Sequence, residues 1–231
     1  TQVVGRDRYV EYVSWLANMA TTCEKILQEV RNLQRSELSE AGEGFDVKKQ
    51  VGSSTMAHKK NPIKSENASG LARIVRSFII PTYENALLWH ERDLANSSSE
   101  RFTLSHACAL CEDVIAKTRQ VLTNMWVDAE RCMENILAQR GLVMAEKVMI
   151  DLVERGVPRD EAHEILREAS FTAVANKEEL IDVCSRTPAI SAAFSAEELE
   201  AMFEPSNHIG VSGELVDEAV ALARAAIQTT E

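Results

Sequence analysis

Apolar residues fall at Val13, Leu16, Ala20, Cys23, Leu27 and Val30, with spacings that alternate three and four. That is the period of an α-helix with one buried stripe. The pattern runs without interruption to about Ser36, so the chain opens on a long amphipathic helix. Two further stretches read as helices. One starts at Asn61 as a cap with Pro62 in the first turn, and carries Ile63, Leu71, Ile74 and Phe78 to Pro81, which should kink or interrupt it. The next places Leu104, Cys108, Cys111, Ile115 and Leu122 on one face. Long helices broken by polar loops predict an elongated bundle.

The composition agrees. Hydrophobic residues make up 45% of 231, enough for a sizeable core, and aromatics only 5%. Abundant Ala, Leu and Glu favour helices over a β-sandwich. The spacing changes after Trp126. Asp128 can cap a short helix, and segments 141–155, 159–170, 195–203 and 213–228 read as shorter ones. The expected fold is all-α, with a central helical bundle over 1–136, a smaller helical domain over 137–231, and no strand.

Charge and cysteine content exclude some functions. A net charge of −11 argues against nucleic-acid binding, which depends on neutralising phosphates. It still allows a local basic pocket for one small anion. Cys108 and Cys111 sit in an apolar helical pattern, and the five cysteines read as buried reduced thiols rather than metal ligands. A reducing, cytoplasmic setting is expected. No run of about 18 apolar residues suits a membrane span. The opening, TQVVGRDRYVEYV, has no signal-peptide pattern and reads as a chain truncated inside an amphipathic stretch.

Three polar segments could carry chemistry. Residues 37–60 form a long loop, and loops of that length are functional or disordered. GSSTMAHKKNP at 52–62 runs from it into the next helix, and there a hydroxyl can face a substrate beside a cation, Lys59. Serine needs such a neighbour to act as a base. Glu66, one turn into the next helix, can pair with Lys59. The alternative is a solvated Ser/Lys loop. The second segment, WHERDLANSSSER at 89–101, sets Arg92 before Ser97 and Arg101, which share a face at a helix start. Two arginines, a hydroxyl and a helix amino end suit a phosphate. Ordinary capping with surface ion pairs to Glu91, Asp93 and Glu100 fits equally well. The third segment, Gln2 with Arg6 and Asp7, says little alone.

Taken together these motifs carry a resemblance. GSSTMAHKKNPIKSE is similar to the signature loop GSSxMxxKxNPxxxE of the fumarase, aspartase and argininosuccinate lyase superfamily, with every fixed position present. WHERDLANSSSER, the opening TQ-x-x-x-RD, QRGLVMAEKVM at 139–149 and GVPRDEAHEIL at 156–166 resemble its adenylosuccinate lyase branch.

The resemblance implies elimination of fumarate from adenylosuccinate, giving AMP, and from succinyl-aminoimidazole-carboxamide ribotide. It implies Ser53 as the base, Ser54 and Met56 as substrate contacts, and Lys59 and Asn61 as groups that hold a carboxylate and stabilise charge. Glu66 would position the second catalytic group. Arg92, Ser97 and Arg101 would grip the nucleotide phosphate, and Gln2 would contact substrate. No metal or cofactor is implied. The assembly implied is a homotetramer with a 20-helix core and sites shared by three subunits. The family's acid and its partner are histidines in segments that precede these, and none of the five histidines here matches them. The chain alone is therefore expected to be inactive. Argininosuccinate lyase, carboxymuconate cycloisomerase and a non-catalytic helical scaffold are the alternatives.

Overall fold

The computed structural model describes residues 4–45, 56, 59–90 and 92–228. The chain divides into two compact units, Thr1–Cys132 and Met133–Glu231.

The first unit is a bundle of three long helices and one short one. These are α1 (Asp7–Leu33), α2 (Ile63–Ser77), α3 (Ile79–Glu84) and α4 (Ala95–Asn124). The stripe on α1 is buried as its spacing predicts: Val13, Leu16, Ala20, Cys23, Leu27 and Val30 all face the core. Each fully buried Leu or Val contributes about 1.5–3 kcal/mol.

On α2 and α4 the buried face differs from the expectation. Ser65, Ala68, Ser69, Ala72 and Val75 point inward on α2, while Ile63 and Ile74 are exposed and Leu71 and Phe78 only half-buried. Thr103, Ala107, Cys111, Val114, Thr118 and Val121 point inward on α4, while Ile115 and Leu122 are exposed. Small side chains let the helix backbones approach closely, and the buried hydroxyls bond within their own turns. Ser69 Oγ donates to the Ser65 carbonyl at 2.7 Å and Thr118 Oγ1 to the Val114 carbonyl at 2.8 Å.

Proline acts as expected, three residues early. Pro81 cannot donate to the Ser77 carbonyl, and the helix breaks between α2 and α3 at Phe78.

One small feature contradicts the expectation of no strands. β1 (Ala41–Gly42) pairs antiparallel with β2 (Trp126–Val127), Gly42 opposite Trp126. Two-residue strands leave no periodic trace. Close packing explains the glycines there: a Cβ on Gly42 would meet Trp126 Cζ2 at 2.7 Å and Gln34 Cγ at 2.8 Å, and one on Gly44 would run into the Asn124 carbonyl.

Beyond β2 comes α5 (Ala129–Leu137). Asp128 caps it as expected, its Oδ1 accepting from the Arg131 N–H at 2.9 Å.

The second unit is also helical. After a 3₁₀ turn at Leu142–Met144 come α6 (Ala145–Glu154), α7 (Arg159–Asn176), α8 (Leu180–Arg186), α9 (Pro188–Ala193), α10 (Ala196–Phe203) and α11 (Ser212–Gln228). The sequence reading missed α8 and α9, which are too short to show a period. Pro188 starts α9, where its missing N–H costs nothing. Val148, Leu152, Leu166, Leu180, Ile190 and Leu199 form the centre of the core. A full capping box joins Ser195 and Glu198 at the start of α10. No residue of α11 is buried. Among the described residues no helix is long and apolar enough to cross a membrane.

Candidate active site

The residues flagged in the sequence gather at two places, one at each end of α1. Ser53, Ser54 and Gln2 lie outside the described residues. At the carboxyl end of α1, a cleft of about 660 Å³ is lined by Arg31, Arg35, Lys59, Lys60, Asn61 and Glu66, among others. Among the described residues four cations and one carboxylate line it, so the cleft suits a small anion in spite of the chain's negative total. Lys59, Asn61 and Glu66 share this cleft. Among the described residues Lys59 and Glu66 form no ion pair, contrary to expectation, though both line the cleft. Met56 is exposed, and its carbonyl accepts from the Lys59 N–H at 3.1 Å.

The start of α2 is also built differently from the sequence reading. Pro62, not Asn61, occupies the N-cap position and supplies no side-chain bond. The acceptor comes from across the loop. Glu43, buried to 3% exposure, accepts from the N–H groups of Lys64 at 3.1 Å and Ser65 at 3.0 Å, and from Ser65 Oγ at 2.9 Å. A carboxylate on the first amides of a helix is favoured by their unpaired hydrogens and by the helix dipole.

At the amino end of α1 stands the arginine segment. Asp93 fixes the approach to α4, its Oδ1 accepting from the Ala95 N–H at 2.9 Å and its Oδ2 from the Trp89 N–H at 3.2 Å. Ser97 and Arg101 follow in the first two turns of α4, with Arg92 just before them. The alternative reading pairs these arginines with Glu91, Asp93 and Glu100; among the described residues no ion pair joins them to Asp93 or Glu100, and Glu91 lies outside those residues.

Glu100 is taken by Arg6 instead. Arg6 Nε donates to Glu100 Oε1 at 2.7 Å, and Asn96 Nδ2 donates to the same oxygen at 2.6 Å. Burial pushes the Glu100 carboxyl up, but the hydrogen bonds from Arg6 and Asn96 and the charges of Arg6 and Arg92 outweigh it and hold the group below the usual carboxylate range.

Arg6 also shows what the opening segment does. Uninformative by itself, it carries Arg6, which binds Glu100 of the arginine segment 94 residues away. No local pattern signals that contact, nor the role of Glu43.

Between the two places lies the whole of α1. Arg6 precedes its first residue, and Gln34, which donates to the Lys60 carbonyl at 2.9 Å, follows its last. A helix of 27 residues spans about 40 Å at 1.5 Å per residue. One chain thus holds Lys59 and Asn61 far from its arginine segment. The Cys-x-x-Cys of Cys108 and Cys111 lies between them in the middle of α4. No group of three His, Cys, Asp or Glu side chains able to hold a metal occurs among the described residues.

Comparison with known proteins gives the family. The family described as "Lyase" matches residues 1–77, and that described as "Adenylosuccinate lyase C-terminus" matches residues 141–219. The adenylosuccinate lyase of Archaeoglobus fulgidus is 44% identical over 220 residues, 95% of this chain and 49% of the relative. That of Methanothermobacter thermautotrophicus is 44% identical over 216 residues, 94% of this chain and 48% of the relative. Among solved structures, the 3-carboxy-cis,cis-muconate lactonizing enzyme from Pseudomonas putida superposes with a TM-score of 0.83 at 32% identity, over 94% of this chain and 47% of that one. The chain spans about half the length of these relatives. With the signature loop, the arginine segment and both family matches in place, the chain belongs to the adenylosuccinate lyase family of the fumarase and aspartase superfamily.

Proposed function

We propose that the whole protein removes fumarate from adenylosuccinate, leaving AMP, and from succinyl-aminoimidazole-carboxamide ribotide in purine biosynthesis. The observation that carries this reading is the arginine segment. Arg92 and Arg101 flank a helix start with Ser97 between them, and the Glu100 carboxylate of the same segment is held by Arg6. That arrangement suits a phosphate monoester.

The chemistry assigned to the chain's own residues is a β-elimination. Ser53 takes the proton from the succinyl carbon beside a carboxylate. The electron pair moves into that carboxylate as an enediolate, which Lys59 and Asn61 stabilise by charge and hydrogen bonding. The C–N bond then breaks, and an acid outside the residues assigned here protonates the nitrogen. Glu66 orients the group that does so. Gln2, Ser54 and Met56 complete the substrate contacts. The reaction needs no cofactor.

The 40 Å reach of α1 supports sites assembled from several chains. So do the exposed apolar side chains Trp15, Ile74, Ile115 and Leu122 on the bundle. A homotetramer that packs these helices into one core accounts for both. The five cysteines, all free, fit a reducing cytoplasm.

A second reading, a carboxymuconate cycloisomerase, is favoured by the likeness to the Pseudomonas putida enzyme. Kinetics of the full-length protein separate the two, because only the first substrate class carries a phosphate. Arg92→Ala and Arg101→Ala should each raise KM for adenylosuccinate by roughly tenfold to a hundredfold, the worth of a charge-assisted hydrogen bond. Unchanged kinetics in both would defeat the assignment. Ser53→Ala should lower kcat by about a hundredfold or more, and full activity in that variant would remove Ser53 as the base.

A further inference from the structure

The side-chain amide of Gln34 links two distant points of the backbone. It stands one residue past the end of α1. Its Oε1 accepts from the Glu43 N–H at 2.9 Å, and its Nε2 donates to the Lys60 carbonyl at 2.9 Å. Those two groups lie on either side of the segment that carries the signature serines. Glu43 reinforces the link from its other end. Its two carboxylate oxygens hold the first amides of α2 and the hydroxyl of Ser65, which is fully buried.

Surrounding atoms fix the amide. The place where a Cβ on Gly42 would sit is occupied by Gln34 Cγ and Cδ and by the edge of the Trp126 ring. Gly42 is itself held opposite Trp126 by the short strand pair. An amide is the side chain this place needs. It offers an acceptor to one stem and a donor to the other, whereas a carboxylate offers no donor and a thioether offers only a weak acceptor.

We infer that Gln34 and Glu43 are positioning residues for the proposed elimination: they tie the chain entering the signature segment to the chain leaving it, so that Lys59 and Asn61 are held at the head of α2. The inference rests on the reading under Proposed function for its catalytic consequence. Its structural half stands on the bonds alone. Neither residue needs to touch substrate, since each acts through the backbone that places Lys59 and Asn61.

The test uses full-length protein with Gln34→Met, which removes the donor and the strong acceptor, and Gln34→Glu, which keeps the acceptor and removes only the donor. Backbone amide exchange is followed at Glu43, with Val114 in the core of the bundle as reference. Fumarate release gives kcat and KM. Gln34→Met should speed exchange at Glu43 by about tenfold or more and leave Val114 unchanged, because the opening is local. Its kcat should fall by about tenfold or more, and by more than KM rises, because the acting groups are displaced on the scale of an ångström. Gln34→Glu should leave Glu43 protected and fall between wild type and Gln34→Met in kcat. A purely structural role would lower the melting temperature while leaving kcat of the folded protein at the wild-type value, and that result overturns the positioning role. Unchanged exchange at Glu43 in Gln34→Met overturns the link itself. Wild-type protein that releases no fumarate overturns the reading of the reaction and the catalytic half of this inference, while the exchange data still decide the link.

Discussion

The Arg6–Glu100 pair provides a quantitative test of how the two motif segments hold together. Both side chains are largely buried, at 10% and 16% exposure, and meet at 2.7 Å. The gross attraction of two charges near 3 Å is about 5 kcal/mol at an effective dielectric of 20. Loss of hydration on burial cancels much of that. A charge-assisted hydrogen bond nets about 1.5–3 kcal/mol, so a coupling of about 2 kcal/mol is expected. The perturbation is a double-mutant cycle with Arg6→Met, Glu100→Gln and the combined variant, read by urea unfolding at pH 7.

The coupling should also depend on pH in one direction. The folded pKa of Glu100 is depressed below its unfolded value, about 4.3. The pair's contribution is therefore complete above the unfolded value and is lost as pH falls through the folded one, with Arg6 charged throughout. A coupling under about 0.5 kcal/mol at pH 7, or one that grows as pH falls, would refute the reasoning.

Other outcomes can be checked more simply. Gly44→Ala brings a methyl group against the Asn124 carbonyl and should cost about 1–3 kcal/mol in urea unfolding. Burial pushes the Cys184 thiol up to about 12, so at pH 8 it should alkylate on the order of a thousandfold more slowly in native protein than after unfolding, as followed by peptide mass spectrometry. Ser195→Ala removes the cap of α10 and should cost about 1 kcal/mol, seen as a lower melting temperature. Gly141→Ala forces a side chain onto a backbone at φ 76° and against the Phe203 ring at 2.8 Å; it should destabilise the protein by more than about 1 kcal/mol in the same assay.

How much of this was legible in the sequence depended on where side-chain volume sits. On α1 the bulky apolar residues are the buried ones, so spacing alone located the face. On α2 and α4 the interior is built from Ser, Thr, Ala and Val, and a reading that follows Ile and Leu selects residues that lie at or outside its edge. The site shows the same division. Lys59, Asn61 and Glu66 are neighbours in sequence, and a loop followed by a helix start brings them to one cleft. Arg6 and Glu100 are 94 residues apart, and Glu43 meets Ser65 across 22. Such contacts depend on the packing of whole helices, and polar residues in loops leave no period to reveal them.

The inward face of α2 has a consequence for how this protein can vary. Ala68 and Ala72, like Ala107 on α4, are completely enclosed, with Ser65 and Ser69 beside them. Shrinking an alanine there leaves glycine, which costs a helix interior about 1 kcal/mol, and any added carbon must push two helices apart, at about 1–3 kcal/mol for each overpacked site. Within one chain, Ile63 and Ile74 on the outer side carry no such limit. Random substitution should therefore find the protein least tolerant at its plainest residues. A lineage could exchange its exposed isoleucines freely, so far as the single chain is concerned, while its alanines remained fixed.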